Sequence, residues 1–329
     1  MGELPLTAVA RRRYNTLQGQ LKAMRALVTG ATGFVGRRLM ERLGGGVVLS
    51  RDPKAARERL GPSADAFGWN PEEAAAPARA FDGVETVFNL AGEPVAEGRW
   101  TAGKKQRIRD SRVLGTRNLV KTLESLRQRP SVLVAASAVG FYGDRGDELL
   151  EETSDPGEDF LAEVCRAWEA EALKALTFGM RVVMARIGIV LDRSGGALAK
   201  MLPPFRLGLG GRMGSGQQWM PWIQLDDLVA MLVHAAENAG VVGAMNAVAP
   251  APARNREFTE VLARLLKRPA VFPVPKLALR LALGEVSDVL LGSQRAMPRV
   301  ALQTAFRFRY PELVGALTAA LENRRRIKP

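Results

Sequence analysis

The stretch Arg25-Ala-Leu-Val-Thr-Gly-Ala-Thr-Gly-Phe-Val-Gly36, running on into Arg37-Arg-Leu-Met-Glu-Arg-Leu43, decides the fold. A short aliphatic run meets three glycines spaced three apart and then an amphipathic segment, which reads as strand, tight turn and helix. Gly30 permits the turn, Gly33 lets main-chain amides approach a diphosphate, and Gly36 lets the helix pack close to the strand. The start of that helix offers free N–H groups and about half a unit of positive charge to phosphate oxygens. A bare glycine triplet signals little; between a strand and a helix it marks a dinucleotide-binding crossover.

Working outward, Val47-Val-Leu-Ser-Arg51 reads as the second strand, after Gly44-Gly-Gly46 has closed the first helix. Apolar runs at 84–90, 132–136 and 180–189 read as buried parallel strands. Helical spacing separates them, through Ile108, Val113, Leu119, Val120 and Leu123 in one segment and Cys165, Trp168 and Leu173 in another. The alternation predicts an α/β fold, a doubly wound parallel sheet of the Rossmann type. The division expected is an N-terminal extension over 1–23, a cofactor-binding domain over 24–249 and a smaller C-terminal substrate lobe over 250–329. The glycine-rich stretches Asp192–Gly196 and Gly208–Gly216 break the regularity, so residues 190–221 are expected to contribute to that lobe.

Composition narrows the chemistry. One cysteine (Cys165) and one histidine (His234) in 329 residues exclude a disulfide framework and a Cys/His zinc site. No apolar run reaches the roughly 18 residues of a membrane span, so a soluble, cytoplasmic chain with no membrane partner is expected. The net charge of +13 gathers at the ends. Arg11, Arg12, Arg13 and Lys22 face only Glu3, and from Arg299 onward seven basic residues face two acids. Without a helix-turn-helix, zinc-finger or aromatic-interleaved pattern, this charge reads as solvated tails rather than a nucleic-acid site.

About twenty residues past Gly30, an acid would grip the ribose 2′-hydroxyl of NAD and an arginine the 2′-phosphate of NADP. Arg51 stands there, which points to NADP(H), with Arg37 as a second phosphate partner; the adjacent Asp52 keeps NAD open.

The motifs Thr29-Gly-Ala-Thr-Gly-Phe-Val-Gly36, Asn89-Leu-Ala-Gly92, Gly115-Thr116, Ser137-Ala-Val-Gly-Phe-Tyr-Gly143 and Trp222-Ile-Gln-Leu-Asp-Asp-Leu228 together resemble the extended branch of the short-chain dehydrogenase/reductase superfamily. Ala91-Gly-Glu-Pro94, Gly98-Arg-Trp100, Asp110-Ser-Arg112, Leu291-Gly-Ser-Gln294 and Phe306-Arg-Phe-Arg-Tyr-Pro311 make it similar to bacterial epimerase-family proteins with a C-terminal module of unassigned function. The resemblance implies NADP(H) bound by Gly30, Thr32, Gly33, Phe34, Val35, Gly36, Arg51, Leu90, Ala91, Gly92 and Arg112. It implies a small carbonyl or alcohol substrate, sugar-nucleotide-like by analogy, and leaves a homodimer open.

One feature departs from the superfamily. Its reductases use a Tyr-x-x-x-Lys pair in which lysine lowers the phenol pKa. By alignment those places hold Leu161 and Cys165, and the usual asparagine place holds Arg112. Ser137 and Tyr142 remain as candidate catalytic hydroxyls at a strand end, with Arg112 or Lys104 as stand-ins for the lysine. An oxidoreductase or epimerase-like enzyme is therefore expected, with a non-catalytic cofactor-binding sensor or scaffold as its alternative.

Overall fold

The computed structural model describes residues 24–322. The N-terminal extension expected over 1–23 and the basic residues 323–329 lie outside the described residues.

Seven strands form the central sheet: β1 (Ala26–Thr29), β2 (Gly46–Ser50), β3 (Ala64–Gly68), β4 (Thr86–Asn89), β5 (Val132–Ala138), β6 (Arg181–Ile187) and β7 (Gly243–Ala247). Every neighbouring pair is parallel, in the order β7-β6-β5-β4-β1-β2-β3. The helices are α1 (Phe34–Leu43), α2 (Pro53–Leu60), α3 (Ala102–Ser125), α4 (Phe160–Leu173), α5 (Gly196–Arg206), α6 (Leu225–Glu237), α7 (Asn255–Leu266), α8 (Lys276–Leu283), α9 (Val286–Leu291), α10 (Arg299–Gln303) and α11 (Leu313–Glu322).

Alternation along the strands sends side chains to two buried faces. Val28, Val48, Val134 and Val183 join Leu39 and Met40 of α1 and Leu228, Met231 and Leu232 of α6. Leu27, Val47, Leu133 and Val182 join Leu119 and Leu123 of α3 and Ala172 of α4. Because the chain winds outward from β1 in both directions, a crevice opens between β1 and β4 at their C-terminal ends, where open α/β sheets hold ligands.

The run at 180–189 is not one strand. It leaves the sheet at Gly188, where a Cβ would stand 2.4 Å from the Pro221 carbonyl oxygen, and continues as Ile189–Leu191, paired in parallel with Trp222–Gln224. That short pair, α5, α7 and α11 share one core through Leu191, Leu202, Phe205, Trp222, Phe258, Leu262 and Leu317. The lobe therefore draws on residues before and after 250, and α6 and β7 return to the main sheet between its parts. Ala301, Phe306 and Phe308 also pack on the sheet core. Asp227 fixes this return, its carboxylate accepting the Arg309 and Tyr310 amides at 2.9 and 2.8 Å.

Candidate cofactor cleft

The β1–α1 turn is built as its glycines require. Gly30 has φ +68°, and a Cβ on it would stand 2.8 Å from the Leu90 carbonyl carbon and 2.9 Å from the Ala91 nitrogen. A Cβ on Gly36 would stand 2.2 Å from the Gly30 oxygen. Gly33 is the N-cap of α1 with no side-chain cap, so the first-turn amides are left to an outside acceptor. The Phe34 and Val35 side chains turn into the core, and Gly195 and Gly196 pack on the Phe34 ring. Neither Phe34 nor Val35 is on the cleft lining.

A buried polar chain holds the opposite wall. Thr29 Oγ1 donates to Asn89 Oδ1 (2.7 Å) and accepts the Leu90 and Ala91 amides, while Asn89 Nδ2 and Trp168 Nε1 donate to Thr116 Oγ1, each at 2.9 Å. Three of the recognised motifs, with Trp168, thus meet beneath the end of β4 and set the Leu90–Gly92 backbone against the glycine turn.

The cleft between these walls encloses about 480 Å³. Of the residues expected to hold the cofactor, Gly30, Thr32, Gly33, Arg51, Leu90, Ala91 and Gly92 line it, and Arg59, Trp69, Pro71, Glu93 and Ser111 join them. Arg37 is exposed and lies outside the lining; Arg59, at the end of α2, occupies the second basic position instead. Asp52 is committed as the N-cap of α2, its carboxylate accepting the Ala55 amide at 2.9 Å. With Pro53 at the first helical position, Asp52 and Pro53 are a legible helix start. The i, i+4 spacing from Ala55 would have brought Arg59 to the cleft face.

At the far end, Arg112 lies beneath Gly92, whose Cβ would stand 3.1 Å from the guanidinium carbon. Nη1 donates to the Glu93 and Ile108 carbonyls, and the guanidinium stacks over Trp168. Glu93 accepts from Lys104 Nζ at 2.7 Å, which holds its carboxyl below the ordinary value.

Ser137 and Tyr142 differ from expectation. Ser137 is buried and donates to Glu169 Oε1 at 2.6 Å. Tyr142 is 0% exposed; its hydroxyl donates to Asn246 Oδ1 (2.7 Å) and accepts from Arg186 Nη1 (2.9 Å). Burial pushes the Tyr142 phenol above its ordinary value. Neither hydroxyl opens on the cleft, because the Arg186–Glu169 pair between β6 and α4 engages both. Leu161 packs on Gly140 and Cys165 lies under Ala138, so a leucine and a thiol stand where the resemblance puts phenol and ammonium. Trp222 is core, and His234 sits 3.0 Å from Thr304 Oγ1 against Phe306.

The model of the NAD dependent epimerase/dehydratase family matches residues 26–247. The chain belongs to this family. A domain of unknown function, DUF1731, matches residues 274–320 of this epimerase-family chain. The chloroplastic epimerase family protein SDR39U1 homolog of Arabidopsis thaliana is 41% identical over 94% of this chain and 91% of its own length. The epimerase family protein YfhF of Bacillus subtilis is 37% identical over 92% of this chain and its whole length. The human epimerase family protein SDR39U1, solved with NADPH, superposes with a TM-score of 0.82 at 34% identity, covering 91% of this chain and all of that one.

Proposed function

We propose that this epimerase-family protein is an NADP(H)-dependent oxidoreductase or epimerase-like enzyme acting on a small carbonyl or alcohol compound. The observation that carries the reading is the continuous cleft in which the glycine turn faces a diphosphate position and two arginines stand at one end. A side chain at Gly30 or Gly36 would fill the cradle, so the backbone fits the group it implies. The amides at the start of α1 would take the diphosphate, and Arg51 and Arg59 the 2′-phosphate. Asp52 gives Oδ1 to the α2 cap, and the two arginines that line the cleft beside it favour NADP(H) over NAD. The human relative solved with NADPH supports the same choice.

When bound, such a cofactor supplies the hydride. The chain's own part is to grip it, exclude water and place charge at the far end. There Arg112 brings a fixed cation beneath Gly92, and Glu93, held by Lys104, brings a titratable group on the lining. Tyr142 and Ser137 act, in this reading, by holding the end of β5 in place. Their engagement, with Leu161 and Cys165, also favours a second reading, a cofactor-binding sensor without turnover.

Fluorescence titration tests the first step. Saturable NADPH binding is expected, NADH should bind more weakly, and Arg51→Ala with Arg59→Ala should cost NADPH at least about tenfold while leaving NADH nearly unchanged. Absence of saturable NADPH binding overturns both readings; NADPH oxidation across a carbonyl panel separates the enzyme from the sensor.

A further inference from the structure

Six large apolar side chains stand out from one edge of the lobe. Leu207 and Leu209 follow α5, Val271 and Phe272 precede α8, and Leu277 and Leu281 lie one turn apart on α8; each is 68–74% exposed. They account for half of the twelve large apolar side chains exposed among the described residues, so the distribution is a cluster and not a scatter. The segments are joined in space. Gly208 lies against Pro269, a Cβ on Gly211 would collide with the Phe272 carbonyl, and the Val274 amide donates to the Arg212 carbonyl at 2.8 Å.

The charge along the segment that carries most of them is basic. Residues 261–284 contain Arg264, Lys267, Arg268, Lys276 and Arg280 and no acid, and Arg206 closes α5 beside Leu207. Glu285 and Asp288, which come next, are paired with Lys105 and Arg280. Along α8, Lys276-Leu-Ala-Leu-Arg-Leu-Ala-Leu283, only Leu279 is buried. A second copy bringing the same face would set cation against cation, so self-association is opposed. Side chains exposed by about 70% form protrusions, which suit a yielding apolar phase better than a rigid partner groove, and the cations call for an anionic counter-surface.

We propose that this edge docks on an anionic lipid bilayer, with Leu207, Leu209, Phe272, Leu277 and Leu281 entering the headgroup boundary and the surrounding Lys and Arg meeting lipid phosphates. A contact of this kind needs no span, and no helix among the described residues is long and apolar enough to cross a membrane. The cleft lies within reach of the docked edge. Arg99, in the segment between Glu93 and α3, donates to the Leu281 carbonyl at 2.5 Å, and Lys105 pairs with Glu285 at the start of α9. The inference is independent of the cofactor reading, since none of these apolar residues lines the cleft.

The test is co-sedimentation of the full chain with vesicles of phosphatidylcholine alone and of phosphatidylcholine mixed with phosphatidylglycerol. The wild type should pellet with the mixed vesicles and be released by salt. The Leu277→Ser, Leu281→Ser double variant, and separately Phe272→Ser, should lower the bound fraction at least about fivefold. Lys276→Gln with Arg280→Gln should do the same on mixed vesicles only. Unchanged thermal unfolding and NADPH titration in the variants show that the fold is kept. A wild type that stays in the supernatant, or leucine variants that pellet as well as the wild type, would overturn the proposal. So would a wild-type dimer that the leucine variants convert to monomer, which would give the edge to a second copy.

Discussion

Replacing Gly36 by alanine sets two effects of known size against each other. Within a helix, alanine is favoured over glycine by about 1 kcal/mol. Against that, the new Cβ would stand 2.2 Å from the Gly30 oxygen and 2.7 Å from the Ala31 Cα. Both obstacles are main-chain atoms, so no rotamer change relieves the clash and α1 must draw back from β1. Overpacking of this kind costs about 1–3 kcal/mol, and here it should reach the upper half of that range. The net expectation is a loss of about 1–2 kcal/mol, lowering the unfolding midpoint by roughly 2–8 °C.

The effect on the cleft should be larger than the effect on stability. The first-turn amides move with α1 away from the Gly30 carbonyl, and two charge-assisted hydrogen bonds to a diphosphate would be lengthened. Losing even one such bond, at about 1.5–3 kcal/mol, weakens binding at least about tenfold. Circular dichroism melting and NADPH fluorescence titration read the two quantities separately. Gly315→Ala is the control, because Gly315 also lies in a helix, α11, but nothing stands within 4 Å of its Cβ position. Propensity alone then acts, and that variant should be slightly more stable with unchanged affinity. If Gly36→Ala behaves like Gly315→Ala, the close-approach argument is wrong.

Two further expectations rest on buried titratable groups. Burial, helped by the charge of Glu169, pushes the Cys165 thiol up to about 12, so a thiol reagent at neutral pH should label the protein only after unfolding. Cys165→Ala should then leave NADPH affinity within about twofold, and rapid labelling of the native protein would show that the thiol is reactive. Burial also raises the Glu152 carboxyl above its ordinary 4.5; Oε1 accepts the Asn246 and Val300 amides, and Oε2 is buried with no hydrogen-bond partner among the described residues. A raised folded-state pKa means that this group's stability contribution is complete below pH 4.5 and lost as pH rises through the folded value. Glu152→Gln keeps the acceptor, so its stability advantage over wild type should grow upward from about pH 4.5 in denaturant titrations. Parallel curves across that window would refute the assignment.

How far the sequence could be read depended on how local each signal was. The β1–turn–α1 unit was legible because its strand, glycines and helix lie within twenty residues and each acts on its immediate neighbours. The edge strands β3, Ala64-Asp-Ala-Phe-Gly68, and β7, Gly243-Ala-Met-Asn-Ala247, were not, since alanine and glycine carry no strand preference. Their conformation comes from pairing with β2 and β6. Arg51 could be found by counting from Gly30, whereas Arg59 reaches the cleft only through the course of α2. The contribution of residues 190–221 to the lobe was legible from their broken regularity, but the exit at Gly188 was not, because nothing local marks it as the point where the chain leaves the sheet.

Tyr142 and Ser137 show the same limit in the site itself. Their place at the end of β5 is local and was read correctly, but their surroundings come from residues 30 to 100 positions away. Arg186 directs Nε and Nη2 at the two Glu169 oxygens and Nη1 at the Tyr142 hydroxyl and the Glu152 carbonyl, while its guanidinium covers the Phe141 ring at 3.5 Å. Burying such an ion pair costs several kcal/mol per ion, which is offset only when the remaining donors and acceptors are satisfied. The phenol oxygen is one of those acceptors, and Asn246, whose Oδ1 accepts the phenol O–H, donates in turn through Nδ2 to the Met297 carbonyl. Withdrawing the hydroxyl to serve a substrate would leave a guanidinium N–H unmatched in the interior. A phenol so placed ties the sheet to the segment before α10, and a proton carrier is better sought at Glu93, which lines the cleft and is held by Lys104.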